Sequence, residues 1–322
     1  MNGPANITLE VTNQCHLDCD HCYLETNRNL DELSVDEIEA CLLAHLETHD
    51  VESFVITGGE PLLRPDIDEI CEMIAPRVEE LRLLTSLSTR DAGSLVAELP
   101  IDALNVSVDG PRARHDAIRG EGTFDRVLEN LRRIDRSRLN EVYLNCVVSS
   151  YNEEAFPDVL EAVDPLADTV GFQLQTWARP DDVARSAERL DCDEGTFMLP
   201  AVPDHPATPS TVTENVQEVR ERGERSSTTV RVFPPGISDA VIHEWFGSGE
   251  REQMRGCQTI YRRPLVGPEG DVYPCPFVRQ SMGNVRDEPL SEIWTGRSIE
   301  QFRQRLSETG LLPICSRCAC SA

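Results

Sequence analysis

Ile7-Thr-Leu-Glu-Val-Thr12 is a short β-branched and apolar run that passes through Asn13-Gln14 straight into Cys15-His-Leu-Asp-Cys19-Asp-His-Cys22. A second such run, Ser53-Phe-Val-Ile-Thr57, ends in Gly58-Gly59-Glu60-Pro61. Both stop at a loop rich in chemistry, and the pattern continues outward with strand-like stretches at 81–86, 103–108, 142–148 and 170–176. Helical patterns lie between them at 34–49, 66–76, 91–98, 124–135 and 153–163. Several open on good start signals, such as Ser34 three residues before Glu37 and Thr123 before Phe124-Asp125. Six strands separated by helices predict an α/β fold of parallel βα units, a partial (β/α)6 TIM-like barrel. In such barrels the chemistry sits on loops leaving the C-terminal ends of the strands.

Three thiolates within the eight residues 15–22 can hold three corners of a cubane cluster and leave its fourth iron without a protein ligand. Such an iron can chelate a small molecule. The same residues also suit a zinc site or a fully ligated cluster, with His16 or His21 as fourth ligand. Glycines at the end of the second strand let backbone approach a ligand, and the Glu60 carboxylate can accept from an ammonium group.

Residues 177–256 read differently. Pro180, Pro200, Pro203, Pro206, Pro209, Pro234 and Pro235 interrupt the pattern, leaving one helix near 212–222 in a segment bridging the barrel mouth. From Gly256 a compact α+β module begins. A hairpin-like stretch runs from Leu265 to Cys275 with its turn at Gly267-Pro268-Glu269-Gly270, then a helix near 289–308, then Cys315-Ser-Arg-Cys318-Ala-Cys320. The chain thus divides into a core barrel (1–179), a bridge (180–255) and a terminal module (256–322). Cys257, Cys275, Cys315 and Cys318 form a second four-thiolate set with Cys320 in reserve, and zinc explains their spacing as well as a cluster does. Clustered thiols in a cytosolic chain point to metal rather than disulfides. Cys41, Cys71, Cys146 and Cys192 are isolated and read as core or helix residues.

The CxxxCxxC loop, Tyr23 beside it and the Gly-Gly-Glu-Pro turn resemble the cluster and cofactor motifs of the radical S-adenosylmethionine (SAM) enzymes. The likeness extends through Leu104-Asn-Val-Ser-Val-Asp-Gly110 into His115-Asp116, Arg119-Gly120 and Gly122-Thr-Phe-Asp125. It implies a radical SAM barrel in which a 4Fe–4S cluster held by Cys15, Cys19 and Cys22 chelates SAM. One electron then cleaves SAM to methionine and a 5′-deoxyadenosyl radical that takes hydrogen from a substrate. By position, Gly58, Gly59 and Glu60 would hold the methionine amino group and Arg119 its carboxylate. Ser107 and Asp109 would lie at the ribose or substrate, while Asn145, Gln173 and Gln175 would face the interior. His115, His243, Tyr151 and Tyr261 have proton-transfer chemistry but read as structural.

Gly270-x4-Cys275, Pro274-Cys275-Pro276, Met282-Gly-Asn-Val-Arg286 and Leu290-Ser-Glu-Ile-Trp294 resemble the SPASM/twitch modules of the same superfamily. The cysteine count suits the single-cluster twitch form, with one auxiliary 4Fe–4S cluster on Cys257, Cys275, Cys315 and Cys318. A fully ligated cluster beside a substrate radical suits electron acceptance, hence net oxidation of a peptide or small cofactor precursor, with a ferredoxin- or flavodoxin-type reductant as partner. The terminal module is also similar to that of haem-pathway enzymes that modify tetrapyrrole side chains. Two other classes are separable: a non-catalytic iron–sulfur electron carrier has no need of the Gly-Gly-Glu-Pro turn, and a zinc-stabilised interaction module predicts a colourless protein.

Charge narrows the remaining possibilities. The chain carries 57 acidic and 30 basic residues, a net charge of −27, and every basic residue is arginine. No basic face is evident for nucleic acid, and neither a membrane span nor a signal-type stretch is present, so a cytoplasmic location is expected. An acidic, lysine-free surface suits concentrated salt, where repulsion is screened. Transfer to low salt is expected to unfold the protein, and a circular dichroism melt unchanged between molar and millimolar salt would remove the halophilic assignment.

Overall fold

The computed structural model describes residues 3–200, 206–247 and 256–319. Seven parallel strands in sequential order form the core of one sheet: β1 (Asn6–Thr12), β2 (Ser53–Gly58), β3 (Glu80–Thr85), β4 (Ala103–Ser107), β5 (Glu141–Val148), β6 (Thr169–Leu174) and β7 (Thr229–Phe233). Six were expected. β7 lies inside the proline-rich bridge, and its Thr-Val-Arg-Val-Phe sequence at the sheet edge is too exposed to show a buried strand's signature.

Alternation along the strands separates two faces. Ile7, Leu9 and Val11 of β1, and Val142, Leu144, Cys146 and Val148 of β5, are buried in the apolar core with the crossover helices. Buried Glu10 and half-buried Asn105, Ser107, Asn145 and Gln173 fall in the opposite phase, where polar side chains collect. Arg82 crosses that face from β3, donating to Asn105 and to Glu80 and Glu141.

The crossover helices follow the pattern where it is strong. Helix Val35–Thr48 begins with the full Ser34–Glu37 capping box, and helix Thr123–Arg133 buries Phe124, Val127, Leu128 and Leu131. Helix Arg112–Arg119 has no counterpart in the sequence reading because its turns are strongly polar; it buries only His115 and Ile118. In the bridge, Pro180 and Pro209 open helices Pro180–Leu190 and Pro209–Gly223, since the first helical turn needs no proline N–H. Helix Asp239–Phe246 follows.

The terminal module extends the same sheet. β8 (Leu265–Val266) pairs in parallel with β1, and β9 (Val272–Tyr273) pairs antiparallel with β8. The single helix expected near 289–308 is two, Leu290–Thr295 and Arg297–Thr309, separated at Gly296. Among the described residues no helix is long and apolar enough to cross a membrane.

β1 and β2 end together. Gly58 has φ +134°, and a Cβ there would sit 2.3 Å from the Thr12 carbonyl oxygen; at Gly59 it would sit 2.4 Å from that of Gln14. Both neighbours are backbone and cannot rotate away. Gly58→Ala is expected to destabilise the apoprotein by about 1–3 kcal/mol through strain and overpacking, read by urea unfolding.

Candidate active site and auxiliary cavity

The cysteine loop leaves β1 at its C-terminal end and is held from every side. Asn13 Nδ2 donates to the Glu25 carbonyl, its Oδ1 accepts from Arg28 N, and Asn27 Oδ1 accepts from Cys15 N. Gly59 N and Glu60 N donate to the Thr12 and Gln14 carbonyls at 2.9 and 2.8 Å. Asp20 N donates to the carbonyl of Ile118, tying the loop to the end of helix Arg112–Arg119. Cys15 and Cys19 are half-buried and Cys22 is exposed. Burial raises the Cys15 thiol and pushes Cys19 up to about 11, with neighbouring Cys22 adding to both. Uncharged in the apoprotein, such thiols must release protons when metal binds.

The Glu60 carboxylate is 1% exposed and fully used. Its Oε1 accepts from Thr85 Oγ1 at 2.7 Å and from Leu62 N, and its Oε2 from Ser86 N and Ser86 Oγ. Ser86 Oγ bonds Ser88 Oγ, which bonds His16 Nε2 at 2.8 Å. Glu60 therefore anchors the strand ends and, through two serines, the cysteine loop.

Asp109 is likewise internal rather than presented to an open face. It is fully buried, with Oδ1 accepting from Val147 N at 2.9 Å and Oδ2 from Arg119 Nε at 2.5 Å. Burial would raise this carboxyl, but the Arg119 guanidinium beside it outweighs that and holds it below the usual range. Arg119 turns its remaining nitrogens toward the loop: Nη1 lies 3.8 Å from Cys19 Sγ and Nη2 donates to His21 Nε2 at 3.3 Å. His16, Asp18, Asp20, Arg119, Glu121 and Arg126 line a cleft of about 390 Å³ on this side of the loop. Ser107 and Asn145 are register partners on the polar face, Gln173 shares that face, and Gln175 is buried with its Nε2 unpartnered among the described residues. His115 is structural; its Nδ1 accepts from Asp109 N, and burial lowers it to about 4.

Cys257, Cys275, Cys315 and Cys318 converge on a second cavity, otherwise walled by side chains including Leu199, Ile260, Phe277, Phe302 and Leu312. Burial, reinforced by Cys275 and Cys257, pushes the Cys315 thiol far up. Four soft donors in an apolar enclosure match a thiolate-held cluster, and three thiols on an open loop match a cluster with a free corner. Cys320 lies outside the described residues.

Two contacts join these sites, and the sequence reading found neither. Tyr23, next to the last cysteine of the loop, packs edge-on against Phe277, two residues past Cys275, at 5.4 Å. Arg279 grips Glu10 of β1 through both Nη groups at 2.9 and 2.6 Å, with its guanidinium over the Tyr273 ring. A lone acid in an apolar strand was the available signal. The far end of the module docks on the barrel too: Ala319 N donates to Thr176 Oγ1, and fully buried Arg317 stacks on Trp177 and donates to the Trp245 carbonyl.

A parallel α/β sheet with thiols gathered at its strand ends and again in a packed terminal cavity defines a two-site iron–sulfur enzyme. The radical SAM superfamily model matches residues 9–163, and the model of an iron–sulfur cluster-binding domain, SPASM, matches residues 257–319. The chain belongs to the radical SAM superfamily, in the branch with a C-terminal SPASM module, and its cofactors are a 4Fe–4S cluster, SAM and auxiliary iron–sulfur chemistry. It is 25% identical to an AdoMet-dependent heme synthase of Nitratidesulfovibrio vulgaris, covering 97% of this chain and 84% of that one. It is 28% identical to the mycofactocin maturase MftC of Mycobacterium ulcerans, covering 99% and 81%. SuiB of Streptococcus suis, solved bound to precursor peptide SuiA, shares the fold with a TM-score of 0.69 at 15% identity, over 98% of this chain and 72% of SuiB. The electron-carrier and zinc-module readings end here.

The Glu10–Arg279 pair is a buried ion pair across the barrel and the module. Removing one partner strands the other charge, so Arg279→Met is expected to cost about 3–5 kcal/mol. Glu10→Met combined with Arg279→Met is expected to cost much less than the two single changes summed, in a double-mutant cycle of unfolding free energies.

Proposed function

We propose that this enzyme abstracts hydrogen from a peptide or small cofactor precursor and completes a net oxidation of it. The observation that carries the reading is the convergence of the Cys15–Cys22 loop, the Gly58-Gly59-Glu60 turn and Arg119 at one end of the sheet, with the auxiliary cavity packed beside them through Tyr23 and Phe277. Cys15, Cys19 and Cys22 would hold the SAM-binding cluster, and Cys257, Cys275, Cys315 and Cys318 the auxiliary one. When bound, these groups supply a hydrogen-abstracting 5′-deoxyadenosyl radical and an acceptor for one electron from the resulting substrate radical.

This chain's own residues bind and orient. The turn 58–60 presents backbone to the methionine amino group, with the Glu60 carboxylate spent on holding that turn. Arg119 meets the methionine carboxylate with its Nη groups, a planar fork suited to that shape. Ser107 serves the ribose, and Asp109 acts by fixing Arg119. Asn145 and Gln173, on the polar face, orient substrate. Tyr23 and Phe277 wall off water between the two sites. A cytoplasmic ferredoxin- or flavodoxin-type protein supplies the electron.

A second reading, oxidation of a tetrapyrrole side chain, is supported by the similarity to haem synthases along nearly the whole chain. The two are separated by incubating the reconstituted enzyme with SAM, dithionite and a haem-pathway porphyrin. Porphyrin-dependent 5′-deoxyadenosine favours the second reading, and its absence keeps the first.

Anaerobically reconstituted protein is expected to be brown and to release 5′-deoxyadenosine from SAM with dithionite. Cys275→Ala is expected to lower bound iron by about four atoms. Iron unchanged in that variant would refute the auxiliary assignment, and a colourless protein would refute both clusters.

A further inference from the structure

Arg119 does more in this structure than wait for a carboxylate. Its guanidinium is almost wholly buried, its side chain 11% exposed, and each nitrogen has an assignment. Nε is locked on Asp109 Oδ2, Nη2 donates to His21 Nε2, and Nη1 is aimed at Cys19 Sγ. Asp109 cannot drift, because Val147 N holds its other oxygen, Asn152 Nδ2 holds its carbonyl, and His115 Nδ1 receives its N–H. Arg119 can only donate, and His21 Nε2 lies 3.3 Å from Nη2, placed to accept from it. The guanidinium keeps its full charge and delivers it to the sulfur.

We propose that Arg119, aligned by Asp109 and His21, sets the reduction potential of the N-terminal cluster by donating to the Cys19 thiolate. The inference rests on the reading above that Cys15, Cys19 and Cys22 hold that cluster. Reduction adds one negative charge to a site whose thiolates are already negative, so a fixed cation and an N–H···S bond stabilise the reduced state more than the oxidised one. The cluster must be reduced before SAM can be cleaved, and this contact makes reduction easier before SAM arrives. Asp109 is then a positioning residue that works through Arg119. This role is separate from contact with the methionine carboxylate, because it operates with no SAM present.

The test is an EPR-monitored redox titration of the full-length reconstituted protein without SAM. The N-terminal signal is identified by its absence in the Cys15→Ala/Cys19→Ala/Cys22→Ala protein. Arg119→Gln is expected to make reduction about tenfold less favourable, a shift of ~59 mV to more negative potential for a one-electron couple. Arg119→Lys, which keeps a charge but loses the fork, is expected to fall between the two. A potential equal to the wild type's in Arg119→Gln overturns the proposal. If that variant holds no iron, the comparison passes to Arg119→Lys, where an unchanged potential overturns it equally. Loss of the cluster or of the fold in both variants assigns Arg119 to assembly and also overturns it. A wild-type protein lacking the signal that depends on Cys15, Cys19 and Cys22 fails the function reading itself, an outcome distinct from an unshifted potential.

Discussion

The position of the cysteine loop depends on one close approach of backbone to backbone, where Gly58 and Gly59 come against Thr12 and Gln14. A loop whose side chains are reserved for metal has little with which to hold itself. Its own polar groups are spent on the Asn13–Asn27 turn network, so the neighbouring strand must supply the rest. The Gly59 and Glu60 amides do so by donating to the Thr12 and Gln14 carbonyls, just ahead of Cys15. Any side chain at position 58 or 59 would occupy the space those carbonyls need. The two glycines therefore matter first for joining β1 to β2. What they present to a ligand follows from that joint.

The lysine-free composition leaves its mark on the interior. Every buried cation here is a guanidinium, and each is used as a multi-point connector rather than as a point charge. Arg64 joins Asp66 to the carbonyls of Val11 and Leu33, bracing the strand that feeds the cysteine loop. Arg279 binds Glu10 with two parallel bonds, and Arg317 gathers backbone carbonyls at the end of helix Asp239–Phe246. An ammonium group could replace the charge in these places but not the fork. Exposed pairs such as Arg133–Glu129 contribute little by comparison, least of all in high salt.

Strands β1 to β6 were legible because each carries a regular set of buried apolar residues, alternating in β3 and β5 and nearly continuous in β6. β7 and helix Arg112–Arg119 were not, since an edge strand and a polar helix draw their stability from neighbours rather than from their own pattern. The cysteines and the Gly-Gly-Glu-Pro turn announced the site because few other structures need those residues in that order. Sequence could not show how Glu60 and Asp109 are used. A carboxylate beside a ligand loop reads as a ligand contact, and only the neighbours' donors reveal that its oxygens are already taken. For Glu60 those donors come from Thr85 and Ser86, more than twenty positions away, and for Asp109 from Val147 and Arg119.

The two thiol sites differ in a way that suits different tasks. At the N-terminal site the loop is polar, one cysteine is exposed, and a cation leans on another; an adjacent cleft leaves room for a charged cofactor. The auxiliary cavity is apolar, and its cysteines come from three separated stretches of chain, so it forms only after the module has folded. β8 on β1, Arg279 on Glu10 and Ala319 on Thr176 then fix that module to both β1 and the end of β6. These contacts set the auxiliary cavity beside the cysteine loop, where Tyr23 meets Phe277. The barrel and the module share one sheet, which runs from β1 of the barrel into β8 and β9 of the module.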